Sequence, residues 1–249
     1  MSAAPRARST AKPTLKGQRR RIPAGARERA PVVVARLALE YGEAHTELTF
    51  ANPWQLLVSV ILSAQTTDVN VNSVTPVLFA RYPRVTDLAA AEEADVEAII
   101  HKTGFFRSKA RAIREMCQDL VLRHGGQVPA RMEDLVQLRG VGRKTANVVL
   151  GVAFGVPGFA VDTHVTRLTR LLRLTSSTDP VKIEEDVCAI VPASEWTGLS
   201  LRLILHGRRV CIANKPRCHE CVLADICPSA DLGPSKPRAT PRHRVAKAR

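Results

Sequence analysis

Lys144 stands directly behind the turn Gly140-Val141-Gly142-Arg143, and Asp162 follows 18 residues later in Val161-Asp162-Thr163-His164. At a helix N-terminus the dipole disfavours an ammonium, so an amine there is pushed toward its neutral, nucleophilic form. A carboxylate nearby can handle protons or balance a developing cation. Two glycines around one apolar residue permit a tight turn with positive φ. The amides of Gly140, Val141 and Gly142 then join the start of the next helix in a nest for an anion. Arg143 adds charge at its mouth. Such a nest suits a DNA phosphate and is indifferent to base sequence. Each piece also has a plain structural explanation. The hairpin can be an ordinary helix–helix turn, Asp162 can cap a helix that starts near Thr163, and His164 can be a partly buried, hydrogen-bonded histidine. Spacing alone does not bring Lys144 and Asp162 together.

A further chemical feature is Cys211-x6-Cys218-x2-Cys221-x5-Cys227. Four cysteines within 17 residues, in a chain without secretory features, read as thiolate ligands rather than disulfides. Zinc and a [4Fe–4S] cluster are both candidates from the spacing. Structural zinc sites tend to carry paired Cys-x2-Cys knuckles and only one is present; iron–sulfur sites tolerate wider spacings, though this one matches neither ferredoxin pattern. Cys117 and Cys188 fall on apolar stretches and read as small core residues.

The elements that must carry these residues read as helix nearly throughout. Asn52-Pro53 pairs a capping side chain with proline at the first helical position, and Trp54, Leu57, Val58, Ile61 and Leu62 recur behind it at helical spacing. Helices are predicted over 92–102, stopping at a left-handed Gly104, and over 107–124, stopping at Gly125-Gly126. Others are expected over 132–138, 143–154, 163–174, 180–191 and 195–210. No alternating strand pattern appears, so the fold class is all-α. With 45% hydrophobic residues among 249 and 4% aromatics, a core of Leu, Val, Ile and Ala is expected. That excludes an intrinsically disordered chain, and six cysteines are too few for a disulfide-stapled scaffold. The longest apolar stretches, 56–62 and 148–156, fall far short of the ~20 residues needed to span a bilayer. Charge is concentrated at the ends. Residues 1–29 hold a net +8 and 228–249 a net +5 of the chain's +14. Basic flexible tails over 1–29 and 231–249 are therefore expected, and nucleic acid is the leading partner.

The hairpin with its lysine, the Val-Asp-Thr-His segment and the cysteine spacing occur together, and in this order, in the endonuclease III family of helix-hairpin-helix DNA glycosylases, which residues 30–228 resemble. The resemblance implies two helical domains with DNA in the cleft between them: a helical barrel over 46–156, and a second domain of an N-terminal helix, 30–45, with 157–230. It also implies one [4Fe–4S] cluster on Cys211, Cys218, Cys221 and Cys227. The implied activity is removal of oxidised pyrimidines such as thymine glycol, with cleavage at the abasic site by β-elimination. Lys144 would attack C1′, with Asp162 assisting. Gln65 would fill the gap left by the flipped base. Phe105 stands where better-known members carry a leucine wedge. Lys215 and Arg217, in the first cysteine loop, would face phosphates, with His164 a further DNA contact. Two rival readings exist. An adenine-mismatch glycosylase is implied to have serine at position 144 and a carboxylate near Val60. A non-catalytic iron–sulfur DNA-binding protein would have a substituted Lys or Asp. The expected partner is duplex DNA with damaged bases or abasic sites, bound by a monomer without a membrane. The expected location is the cytoplasm, at the nucleoid, if the source is bacterial.

Overall fold

The computed structural model describes residues 22–231. Most of both basic tails, 1–21 and 232–249, lies outside the described residues. The chain runs α1 (Ala26–Tyr41), α2 (Pro53–Leu62), α3 (Asp68–Arg81), α4 (Val85–Ala89), α5 (Glu93–Ile100), α6 (Phe106–His124), α7 (Met132–Leu135), α8 (Arg143–Phe154), α9 (Thr163–Leu171), α10 (Pro180–Cys188) and α11 (Trp196–Arg209). Short 3-10 turns precede Gly104 and α11 and include Cys218. The described residues contain no strand, so the fold is all-α.

The helices surround two hydrophobic cores. One is built around α2, whose residues Leu56 to Leu62 are all buried, with Ile113, Met116 and Leu120 of α6 and Val149 and Leu150 of α8 against it. The other joins Ala30, Val33 and Leu37 of α1 to Phe159, Val165, Leu168, Ile183, Val187, Leu199 and Leu203. Glycine sets how closely α8 meets the second core. A Cβ on Gly151 would lie 2.4 Å from the Thr197 hydroxyl and 2.5 Å from its methyl. That hydroxyl also donates to the Gly158 carbonyl at 3.2 Å.

Several boundaries differ from the sequence expectation. The N-terminal helix occupies 26–41 rather than 30–45, so the tail reading of 1–29 stops short of Ala26. Left-handed Gly25 opens α1 and Gly42, with φ 61°, closes it. Arg29, counted with the tail charge, donates to the carbonyls of Leu172 at 2.7 Å and Arg173 at 3.3 Å. The helix predicted to Leu174 ends at Leu171 because Arg173 takes φ 48°. The amides of Arg173 and Leu174 turn back onto Arg170 and Thr169 at 2.9 and 2.8 Å, a Schellman-type stop. Two residues of positive φ follow α5: Gly104, at φ 65°, ψ 159° in a region only glycine reaches readily, stops the helical run as expected, and Phe105, at φ 47°, takes the left-handed helical conformation. The helix α3 escaped the sequence reading. Pro76 interrupts it, and Val69 and Val77 are exposed opposite buried Val71, Val74 and Leu78, which blurs its stripe.

Gly151→Ala is expected to lower stability by about 1–3 kcal/mol, since Thr197 cannot yield without losing its bonds to residue 158. A denaturant midpoint equal to the parent's would contradict the close approach of α8 and α11.

Candidate active site

The hairpin between α7 and α8 is built by a buried side chain and one strained glycine. Val141 is 5% exposed and plugs the first core. Gly140 has φ 74°, and a Cβ there would meet the Ala112 methyl at 3.1 Å. The second glycine differs from expectation: Gly142 is extended, φ −89°, and acts as N-cap of α8 with open space where a Cβ would stand. It brings no side chain to the first-turn amides. The Val141 amide is not part of that nest, because it donates to the Leu138 carbonyl at 3.1 Å. Arg143 is committed as well: its guanidinium forms a two-bond pair with Glu184 of α10, at 2.8 and 2.9 Å.

Lys144 lies in the first turn of α8, beside the opening of α9. Its side chain is open to solvent on one side while protein crowds the rest. That crowding lowers the amine's pKa from the usual lysine value. Asp162 and then Asp68 pull it back up, and Arg208 pushes it down. The structure therefore brings Lys144 and Asp162 into one electrostatic neighbourhood. Asp162 performs the capping role as well, accepting from the Val165 amide at 2.8 Å. Sequence reasoning missed two members. Arg208 donates to Asp68 at 3.0 Å and to Glu47 at 2.6 Å, so one cation from α11 ties down the start of α3 and the loop before α2. Only a fold could reveal this, since Asp68 and Arg208 are 140 residues apart in the chain.

The remaining candidates divide. Gln65 and Phe105 are both exposed and both left-handed, at φ 55° and 47°; with Arg173 they are the non-glycine residues of positive φ among those described. His164 is half-buried, so close to Gly207 that a Cβ there would lie 2.8 Å from its Nδ1. Burial lowers its pKa, against the pull of Asp162. His164 is therefore packed against α11 at the opening of α9. Lys215 is exposed. Arg217 is exposed too, but it is paired: it bonds Glu220 at 3.1 Å and donates to the Arg209 carbonyl. Val60 is 4% exposed inside the first core. Cys211, Cys218, Cys221 and Cys227 are half-buried without disulfides, and Arg167 of α9 donates to the Cys211 carbonyl at 2.6 Å. Among the described residues no three His, Cys, Asp or Glu side chains converge on a single metal-ion position.

Residues 58–193 match the family described as HhH-GPD superfamily base excision DNA repair protein, and the chain belongs to that family. It is 50% identical over 208 residues to endonuclease III of Synechocystis sp., covering 83% of this chain and 95% of the relative. Endonuclease III of Bacillus subtilis is 43% identical over 75% of this chain and 86% of its own. Two solved structures superpose with a TM-score of 0.79: a non-covalent endonuclease III–DNA complex at 38% identity, and a trapped endonuclease III–DNA covalent intermediate at 39%. Each covers 82% of this chain and 96% of the compared one. The chain is accordingly a base-excision DNA repair enzyme, a DNA glycosylase and abasic-site lyase.

The two hairpin glycines are expected to respond differently to a methyl group. Gly140→Ala meets positive φ and Ala112 and should lose about 1–3 kcal/mol. Gly142→Ala, extended and unobstructed, should lose less than about 1 kcal/mol. Chemical denaturation of both variants checks the ranking.

Proposed function

We propose that this enzyme removes oxidised pyrimidines of the thymine-glycol type from duplex DNA and nicks the resulting abasic site, with Lys144 as nucleophile and Asp162 as its charged partner. The observation that carries the reading is the company Lys144 keeps: a crowded amine of lowered pKa at a helix N-terminus, with Asp162, Asp68 and Arg208 acting on it. A flipped nucleotide exposes C1′, which the stacked duplex hides. The Nζ lone pair bonds to C1′ as the glycosidic bond breaks, and the electron pair leaves with the base, which takes up a proton. The sugar ring then opens to a Schiff base, and loss of a C2′ proton expels the 3′ phosphate. Asp162, held by the cap bond to Val165, balances the cation that grows at C1′.

Around this centre we assign the contacts by what each residue is free to do. The uncapped first turn of α8 behind open Gly142 suits a phosphate. Gln65 and Phe105 present side chains from rigid left-handed positions and suit the space left by a flipped base. Of the two loop cations, Lys215 suits a phosphate better than Arg217, which braces its own loop. The two cores support the domain division near residues 46 and 156. Bacterial relatives and a duplex DNA substrate support work at the nucleoid; no helix among the described residues is long and apolar enough to cross a membrane.

We assign a [4Fe–4S] cluster to Cys211, Cys218, Cys221 and Cys227, and the donor set fits it. The charges of the four cysteines act on one another, yet they do not converge on one point. A cluster with one thiolate per iron suits that better than a zinc ion drawn into a tetrahedron. Burial pushes the Cys221 thiol up to about 11, so a bound metal is what would make it a thiolate. Bound there, the cluster would cross-link the 211–227 loop to its domain.

Borohydride reduces the imine to a permanent bond, so enzyme mixed with thymine-glycol duplex should become covalently attached to DNA through Lys144. Lys144→Ala should abolish attachment and base release while keeping most lesion binding. Asp162→Asn should slow turnover about 10²–10⁴-fold for ~1 kcal/mol of stability or less, since Asn caps about as well as Asp. A Lys144→Ala protein that excised thymine glycol at the parent rate would end this mechanism.

The pH profile offers an independent check. The nucleophile must be neutral, so activity falls as pH drops through the Lys144 pKa. Arg208→Met removes a charge that lowers that pKa and releases Asp68, which raises it. The acid limb of single-turnover base release should therefore move to higher pH; a limb that stays in place or moves down would separate Arg208 from Lys144.

A further inference from the structure

One buried polar group in the second domain takes no part in the chemistry above. His206, near the end of α11, is 2% exposed, and both of its ring nitrogens have partners. Nδ1 lies 2.8 Å from the Tyr41 hydroxyl at the end of α1. Nε2 lies 3.3 Å from Sγ of Cys221. The tyrosine ring meets the imidazole edge-on, 5.9 Å between centroids at 75°, and the His206 carbonyl accepts the Cys211 amide at 2.8 Å. His206 thus touches two of the four cysteines assigned to the cluster, one through its ring and one through its backbone.

We propose that Tyr41 and His206 form a fixed hydrogen-bond chain ending on the Cys221 sulfur, and that this chain sets the reduction potential of the cluster and its resistance to loss. The inference rests on the assignment of the cluster to these cysteines. A ligating thiolate only accepts, so the nitrogen facing it must carry the proton. The other nitrogen must then accept, and the Tyr41 hydroxyl is the donor placed to serve it. Each partner leaves the next a single role, so the imidazole has one tautomer and one orientation. A hydrogen bond to a cluster sulfur favours the more electron-rich state, which raises the reduction potential; it also holds the thiolate against displacement. His206 and Tyr41 are positioning residues, since they act through the Cys221 sulfur.

The test uses the full-length, iron-loaded protein, with readouts independent of DNA cleavage: iron and sulfide content, the rate at which the visible iron–sulfur band fades under an iron chelator, and the midpoint potential by voltammetry. His206→Leu should shift the potential negative and fade about ten-fold faster than the parent. His206→Gln, which keeps an N–H near the place of Nε2, should restore most of both. Tyr41→Phe keeps the ring packing but frees the tautomer, and should shift in the same direction by less. If His206→Leu does not fold, Tyr41→Phe against His206→Gln decides. Tyr41→Phe indistinguishable from the parent in potential and fading would overturn the chain, as would His206→Leu with parental values and full iron. Parent protein that holds zinc or no iron would instead overturn the cluster assignment, which separates the two failures.

Discussion

Lys144 and Asp162 meet because α8, α9, α11 and the loop before α9 come closer than ordinary side chains would allow. Three glycines set that approach. Gly151 of α8 lies against Thr197, Gly158 lies 2.7 Å (from its would-be Cβ) to the Asn147 carbonyl, and Gly207 of α11 lies against the His164 ring. A methyl at Gly151 or Gly158 would push apart elements drawn from the two hydrophobic cores, and one at Gly207 would separate α9 from α11 within the second. Lys144 rides on the first of these helices, Asp162 opens the second, and Arg208 follows Gly207 directly on the third. Separation by a methyl's width would weaken every charge interaction Lys144 has, because those interactions depend on distance and on water being kept out. Packing between the cores is in that sense the first requirement of the chemistry.

Charge then refines what packing has set. Two ion-pair clasps cross between the cores: Arg208 to Asp68 and Glu47, and Arg143 to Glu184. These pairs are partly exposed, and such pairs contribute about 0–1 kcal/mol each. Their value lies in orientation. Arg208 holds Asp68 at the lip of the site while tempering its pull on Lys144, so the amine is not locked as an ammonium by a bare carboxylate pair. Arg167 makes a similar link on the far side of α9. It reaches the carbonyls of Gly207 and Cys211 with one guanidinium nitrogen, and the His164 ring lies 3.4 Å from that nitrogen. The neighbourhood of Asp162 is therefore connected to the start of the cysteine loop through a single side chain.

What could be read in the sequence and what could not follows from the range of each interaction. Local devices were legible: the Asn52 cap, the Pro53 start, the Asp162 cap and the 3.6-residue stripe of α2 depend on neighbours within a few residues. The Lys144 and Asp162 motif was legible as two pieces whose meeting only the fold supplies. Arg208 was invisible, since nothing near Gly207-Arg208-Arg209 marks one arginine as special until Asp68 and Glu47 arrive from the other core. The ion pair of Arg143 was invisible for the same reason. Beside the hairpin Arg143 reads as a phosphate contact, while Glu184, 41 residues away, occupies it. Gly104 and Phe105 show a subtler limit. The glycine marked a sharp reversal correctly, but nothing in the sequence marks the aromatic residue after it as a second position of positive φ.

That positive φ has a physical consequence. Left-handed conformation costs a bulky residue on the order of 1–3 kcal/mol, and such strain persists only where surrounding structure over-determines it. At Arg173 the reason is local, a Schellman stop whose two amides are satisfied. Gln65 and Phe105 stand apart, because both side chains are exposed and neither is needed to fill a core. Each is fixed from behind instead: the Thr66 amide returns to Ser63 at 3.2 Å, and the Phe105 carbonyl accepts the Lys109 amide at 3.1 Å at the start of α6. In the role proposed above for these two side chains such bracing is a gain, because ordering a flexible loop at the moment of insertion would draw on the same binding energy that opens the duplex. The strain is thus held in the protein by short-range backbone bonds. Under that proposed role, relaxing either tip to glycine would make the protein more stable and the insertion less favourable, the sign expected when a backbone is held for its ligand rather than for its own fold.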